Sequence, residues 1–248
     1  MNLAQNKQLL LNVPIRTELK FLKFCYFIVT CLLLSCGNET KTTETQKKDD
    51  STQTETSKSP KKGTKTILCF GDSITAGYGL DETNDAYTGV LQNKIDSLGL
   101  NYTVVNSGVS GETTAGGRSR IKWVLNQDVD VFLLELGAND GLRGVPLSET
   151  RANLQAIIDA VQQKNPSTVI ILAGMELPPN MGQDYTNGFR TIFSELAKEN
   201  DLKFIPFILK DVGGIAELNQ GDGIHPTEEG HKIIANTVWE AIKPILKP

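Results

Sequence analysis

From residue 66 to the C-terminus, apolar and polar positions come in alternating blocks. Five apolar runs of strand length appear: "TILCFG" (66–71), "YTVVNS" (102–107), "VFLLELG" (131–137), "TVIILAG" (168–174) and "LKFIPF" (202–207). They are continuous rather than alternating, as expected for strands covered on both faces. Helical patterns lie between them. Leu154, Ile157, Ile158 and Val161 recur at the spacing of one helix face, as do Phe189, Ile192, Phe193 and Leu196. A last helix shows the same in Ile234, Val238, Ala241, Ile242 and Ile245. Strands alternating with helices predict βαβ units and a parallel sheet. The expected fold is one three-layer α/β/α sandwich on five parallel strands, spanning residues 66–248.

The pattern before residue 66 is different. Residues 24–34, "FCYFIVTCLLL", form an apolar run preceded by Arg16, Lys20 and Lys23. That run is short for a membrane span and suits the core of an export signal. It ends in "LLSCG", which resembles a bacterial lipobox, so residues 1–36 are expected to be a lipoprotein signal peptide ending at a lipidated Cys36. Residues 38–64 contain no Ala, Val, Ile, Leu, Met, Phe, Trp, Tyr or Cys. Such a segment cannot offset its ordering entropy by burial, and 37–65 is expected to be a disordered polar tether. The implied location is that of an exported bacterial lipoprotein, membrane-anchored on a periplasmic or cell-surface face.

Charge divides the same way. Before residue 66 there are 11 Lys+Arg against 6 Asp+Glu, and from 66 onward 14 against 23, in a chain of formal net charge −4. The predicted domain is acidic, which argues against a nucleic-acid partner. Of four cysteines only Cys69 lies in it, inside an apolar run, where it reads as a small buried hydrophobe.

In open parallel sheets, sites form at the carboxyl ends of strands. The segments that follow the five runs are "GDSITAGYG" (71–79), "SGVSGETTAGG" (107–117), "GANDGLRG" (137–144), "GMELPPNMG" (174–182) and "GDGIHP" (221–226). A serine nucleophile at Ser73 would need a base within hydrogen-bond reach. The chain holds two histidines. His225 precedes Pro226 at a strand end. His231 falls inside the last helix, after Thr227 as N-cap and the first-turn Glu228 and Glu229. Asp222, three residues before His225, can orient its imidazole, giving a Ser73–His225–Asp222 triad. Candidate oxyanion donors are the backbone N–H groups of Ser73 and Gly108 and the side-chain amide of Asn139. Asp72 is expected to brace the turn, and Asp140 to be structural. A metal pair from the two histidines fails on spacing, because helical pairs need i, i+4. His231 is then a packed or solvent-edge helix residue.

Four blocks in order, Gly71-Asp72-Ser73, Gly108, Gly137-Ala138-Asn139-Asp140 and Asp222-Gly223-Ile224-His225-Pro226, resemble those of the GDSL, or SGNH, hydrolase superfamily. The longer strings resemble its arylesterase, thioesterase and lysophospholipase branch, with Ala138 where that branch often has glycine. The nucleophile elbow G-x-S-x-G is absent around Ser73, so an α/β-hydrolase reading is not supported. The resemblance implies a flavodoxin-like sandwich and a serine esterase acting on aryl or short-to-medium acyl esters, thioesters or lysophospholipids, without metal or cofactor. Two alternatives stand beside it: a surface carbohydrate O-acetylesterase of the same fold, and a non-catalytic binding module.

Overall fold

The computed structural model describes residues 63–247. The expected signal peptide, Cys36 and nearly all of the tether lie outside the described residues. Five strands form one parallel sheet: β1 (Lys65–Gly71), β2 (Tyr102–Gly108), β3 (Val131–Glu135), β4 (Val169–Ala173) and β5 (Lys203–Ile205), in the order β2-β1-β3-β4-β5. Seven α-helices accompany it: α1 (Ser73–Ala76), α2 (Tyr87–Ser97), α3 (Thr114–Val124), α4 (Ala138–Leu142), α5 (Leu147–Lys164), α6 (Gln183–Glu199) and α7 (Glu228–Ile242). α2 packs on α7, while α3 packs on α5 and α5 on α6. These two groups form the outer layers of the sandwich.

The central strands are covered as their apolar runs predict. Ile67 to Phe70 in β1 and Phe132 to Leu134 in β3 are fully buried. The helix stripes meet them: Leu154, Ile157 and Ile158 on α5, Phe189 and Phe193 on α6, Ile234 and Val238 on α7 are all buried. The edge strands depart from expectation. Val104 and Val105 of β2 are only half-buried, because β2 has a neighbour on one side alone. β5 is shorter than its apolar run, since Pro206 has no N–H to extend the ladder with β4. β3 stops at Glu135, two residues before its run ends, because α4 begins at Ala138. α7 ends at Ile242, so Ile245 packs on the core from beyond the helix.

Two features of this frame position the site. Strand order reverses direction at β1, which has β2 on one side and β3 on the other, so a crevice opens outside the carboxyl ends of β1 and β3. Asp72 caps α1 directly after β1, its Oδ1 accepting from Ile74 N at 3.1 Å, and this sets Ser73 at the mouth of the crevice.

Candidate active site

Ser73 is the first residue of a four-residue helix at the end of a strand that is buried from Thr66 onward. Its backbone is held by its neighbours. Ala76 N donates to Asp72 O at 2.9 Å, and Gly77 N donates to Ser73 O at 3.1 Å. Ser73 N is engaged by no acceptor among the described residues. The side chain meets a histidine from the far end of the chain: Ser73 Oγ lies 3.0 Å from His225 Nε2.

His225 is delivered by a pinned loop. Gln220 N donates to His225 O at 2.7 Å, Gln220 Nε2 donates to Pro226 O at 2.9 Å, and Asn219 pairs with Pro226 in an isolated bridge. Within it Asp222 turns back on the imidazole. Its Oδ2 lies 2.6 Å from His225 Nδ1, and its Oδ1 accepts from the backbone N–H groups of Ile224 and His225, both at 3.0 Å. The imidazole bond first, then the two N–H groups, bring the Asp222 carboxyl down to about 2. An ionised carboxylate only accepts, so Nδ1 carries the hydrogen and Nε2 is left to accept from the Ser73 hydroxyl. Tyr78 packs its ring 4.6 Å from the imidazole, between centroids. The structure thus brings Ser73, His225 and Asp222 into one hydrogen-bonded line.

The second histidine lies elsewhere. Thr227 caps α7 through Gly230 N, as the sequence suggests, and His231 is fully buried in that helix. Its Nδ1 accepts from Tyr87 N, the first N–H of α2, at 3.1 Å. It therefore joins α7 to the start of α2. Burial holds its pKa down at about 4, so it is neutral near pH 7.

The expected oxyanion donors divide. Asn139, at the start of α4, lines the same cavity as Ser73 and His225. Its Nδ2 donates to Asp72 Oδ2 at 3.2 Å, leaving its second hydrogen for the site. Gly108 is placed otherwise. Its N–H donates to Asn106 Oδ1 at 3.0 Å, and a Cβ there would collide with the backbone of α1 at Thr75 and Ala76. The glycine at 108 lets α1 sit on the end of β2. Of Gly108 and Gly111, it is Gly111, three residues on, that lines the cavity, and its N–H has no acceptor among the described residues. The signal that finds it is in the string "SGVSGETT", where one glycine ends β2 and a second follows three residues later, so that either could offer a backbone N–H.

Beneath the site lies a carboxyl group that the sequence reading passed over. Glu135, the last residue of β3, is fully buried and accepts from Thr75 Oγ1 at 2.7 Å and from Asp72 N at 3.3 Å. Burial, and then the charge of Asp72, push its pKa well above the usual carboxylate range. Asp72, also buried, is raised to about 6 by burial, against the hydrogen bonds from Ile74 N and Asn139. Asp140 is buried and accepts from Thr114 N at 2.8 Å, tying the start of α3 to α4. Cys69 is buried, and burial pushes its thiol up to about 12.

The catalytic line opens into a cavity of about 750 Å³ whose walls are mostly apolar, among them Leu142, Met175, Leu177, Phe207, Leu209 and Ile224. That is within the range of small-molecule sites. A serine hydroxyl bonded to an imidazole, a carboxylate on the other side of that ring, unengaged N–H groups and an apolar chamber match the set that acyl transfer requires.

Comparison with known proteins gives a consistent result. Residues 69–233 match the model of the "GDSL-like Lipase/Acylhydrolase family". The chain is 36% identical to esterase TesA of Pseudomonas aeruginosa over 73% of its own length and 89% of that protein. It is 34% identical to thioesterase 1/protease 1/lysophospholipase L1 of Escherichia coli, covering 73% of this chain and 85% of that one. Among solved structures, the psychrotrophic esterase EstA from Pseudoalteromonas, inhibited by monoethylphosphonate, superposes with a TM-score of 0.68. It shares 31% identity, over 73% of this chain and 97% of that one.

Proposed function

Because this chain belongs to the GDSL-like lipase/acylhydrolase family and is an ester hydrolase of it, we propose that it cleaves aryl and short-to-medium acyl esters through an acyl-enzyme on Ser73. The observation that carries the reading is the 3.0 Å contact of Ser73 Oγ with His225 Nε2 at the mouth of an apolar cavity. Ser73 Oγ attacks the ester carbonyl carbon while His225 Nε2 takes its proton. The carbonyl oxygen, now negative, is held by the N–H groups of Ser73 and Gly111 and by Asn139 Nδ2. Collapse of this intermediate breaks the ester bond, and the departing alkoxide takes the proton from His225. Water then attacks the acyl-enzyme carbonyl with His225 as base, releasing the acid and restoring Ser73.

The cavity's apolar walls support acyl groups longer than acetyl, and the same chamber suits acyl thioesters and lysophospholipids. A carbohydrate O-acetylesterase would be expected to use a polar groove instead. The test is a panel of esters from acetyl to palmitoyl with one acyl thioester and one lysophospholipid, run beside Ser73→Ala. Turnover of butyryl to decanoyl esters that Ser73→Ala abolishes is the expected result. Release of acetate from acetylated xylan with no activity on longer acyl esters would overturn the substrate reading. The protein is further proposed to be exported and held at a membrane by a lipid on Cys36. The Leu33–Cys36 string and the polar segment after it support this. Metabolic labelling with a palmitate analogue, lost in Cys36→Ala, tests it.

A further inference from the structure

The amide of Asn139 is gripped at both ends. Its nitrogen donates to Asp72 Oδ2 at 3.2 Å, and its oxygen accepts from Arg143 Nη2 at 3.4 Å. The same Nη2 donates to the carbonyl of Gly111 at 3.0 Å. One guanidinium at the end of α4 therefore touches both Asn139 and the loop of Gly111, two lining residues of the cavity that also holds Ser73 and His225. Asp72 is buried, and its other oxygen is fixed by Ile74 N at 3.1 Å, so it offers Asn139 an acceptor that does not wander.

An asparagine amide is nearly symmetric in shape, and only its hydrogen-bond partners decide which end faces where. If it flipped, Oδ1 would meet the Asp72 carboxylate, an acceptor against an acceptor, and the NH₂ would meet the Arg143 donor. Both contacts would be repulsive. It would also turn a carbonyl oxygen, instead of an N–H, toward the place where negative charge develops. The present arrangement spends one Asn139 hydrogen on Asp72 and leaves the second for the cavity.

We propose that Asp72 and Arg143 are positioning residues that clamp Asn139 in its donor orientation, with Arg143 setting the Gly111 loop by the same contact. The inference rests on the ester-hydrolase reading with Asn139 as an oxyanion donor. Neither residue is expected to touch the acyl group. Losing either should weaken transition-state binding and leave ground-state binding alone.

The test is a double-mutant cycle. Arg143→Ala and Asp72→Asn are made in the wild type and in Asn139→Ala, and kcat and KM are measured on p-nitrophenyl butyrate. Removing one oxyanion donor costs about 10²–10³ in kcat, and misplacing it should cost roughly tenfold to a hundredfold. Each clamp variant is thus expected to lower kcat roughly tenfold or more with KM within about twofold. In the Asn139→Ala background each loss should be several-fold smaller than in the wild type, keeping only what Asp72 does for Ser73 and Arg143 for Gly111, because the group they jointly orient is gone. Arg143→Lys, which keeps the charge but not the fork, should recover only part of the loss. Losses that multiply in the Asn139→Ala background would overturn the clamp. So would an Arg143→Ala variant that raises KM with kcat unchanged, which marks a substrate contact. Asp72 is buried and its variant can fail to fold, but Arg143 is exposed and carries the test alone. A wild type that hydrolyses no ester, or a Ser73→Ala variant that matches it, would defeat the ester-hydrolase reading and the clamp with it. Turnover abolished in Ser73→Ala together with multiplying losses would defeat the clamp only.

Discussion

His225 and His231 are six residues apart and do unrelated work. His225 touches Ser73 and Asp222, whereas His231 accepts from the first N–H of α2. Replacing Ser73 or His225 by alanine should lower kcat on p-nitrophenyl butyrate by at least about a thousandfold. Replacing His231 should leave most activity and remove stability, because it leaves a buried N–H without an acceptor. The stability loss has a pH signature. Unfolded, His231 titrates near 6.5, and folded, at about 4. Between those values the unfolded chain binds more protons. The stability from a neutral His231 is therefore complete above pH 6.5 and lost as pH falls toward 4. The gap in unfolding free energy between wild type and His231→Ala should narrow by up to about 3 kcal/mol from pH 7 to pH 4. A gap that stays constant over that range would show that His231 is not held neutral. The sequence separates the two histidines correctly through Pro226 and the helix pattern. What His231 touches was not readable, because its partner is 144 residues away.

Among the elements, strands and helices with an apolar stripe are legible and the loops after β2 are not. α3 escapes a pattern reading because its segment, "TAGGRSRIKWV", carries two glycines. Gly117 is tolerated there since a Cβ would collide with Leu136 and press on Phe70, so helix and sheet approach closely at that point. The loop before α3 is likewise fixed by long-range contacts. Arg120 forks onto Glu112, with Nε 2.7 Å from Oε1 and Nη2 2.6 Å from Oε2, and also donates to Ser107. Asn106 ties three segments: its Nδ2 donates to Thr75 O at 2.7 Å and to Thr88 Oγ1 at 3.0 Å, and its Oδ1 holds Gly108 N. Asn106→Ala removes all three bonds and should cost roughly 2–4 kcal/mol, read as a lower denaturant midpoint with unchanged slope. It also frees the Gly108 N–H. If Gly108 offers no oxyanion donor, kcat of the folded variant should not rise. A rise would return Gly108 to the oxyanion site.

At the scale of the whole molecule, the run of strands and helices predicts a parallel sandwich, but it does not give the order β2-β1-β3-β4-β5 that puts the crevice at β1. The cavity is less legible still. Its apolar wall is assembled from Leu142 after β3, Met175 and Leu177 after β4, Phe207 and Leu209 after β5, and Ile224 beside the catalytic histidine. Each reads in sequence as an ordinary apolar residue in a loop. Together they enclose a chamber that only the fold brings into being, and under the proposed function acyl preference would be set there rather than at Ser73 and His225. Leu177 tests this. It lies half-buried in the wall against Gly141 and makes none of the hydrogen bonds that join Ser73, His225 and Asp222. Leu177→Trp adds bulk to the wall and should leave those bonds in place. Differential contact in an apolar pocket changes discrimination by about 1–3 kcal/mol. For p-nitrophenyl decanoate, kcat/KM should therefore fall roughly tenfold or more, while p-nitrophenyl acetate, which does not reach the wall, stays within about twofold. An equal fall on both esters would mean that the substitution disturbs the triad. Unchanged kinetics on decanoate would mean that the acyl chain leaves Ser73 by another route.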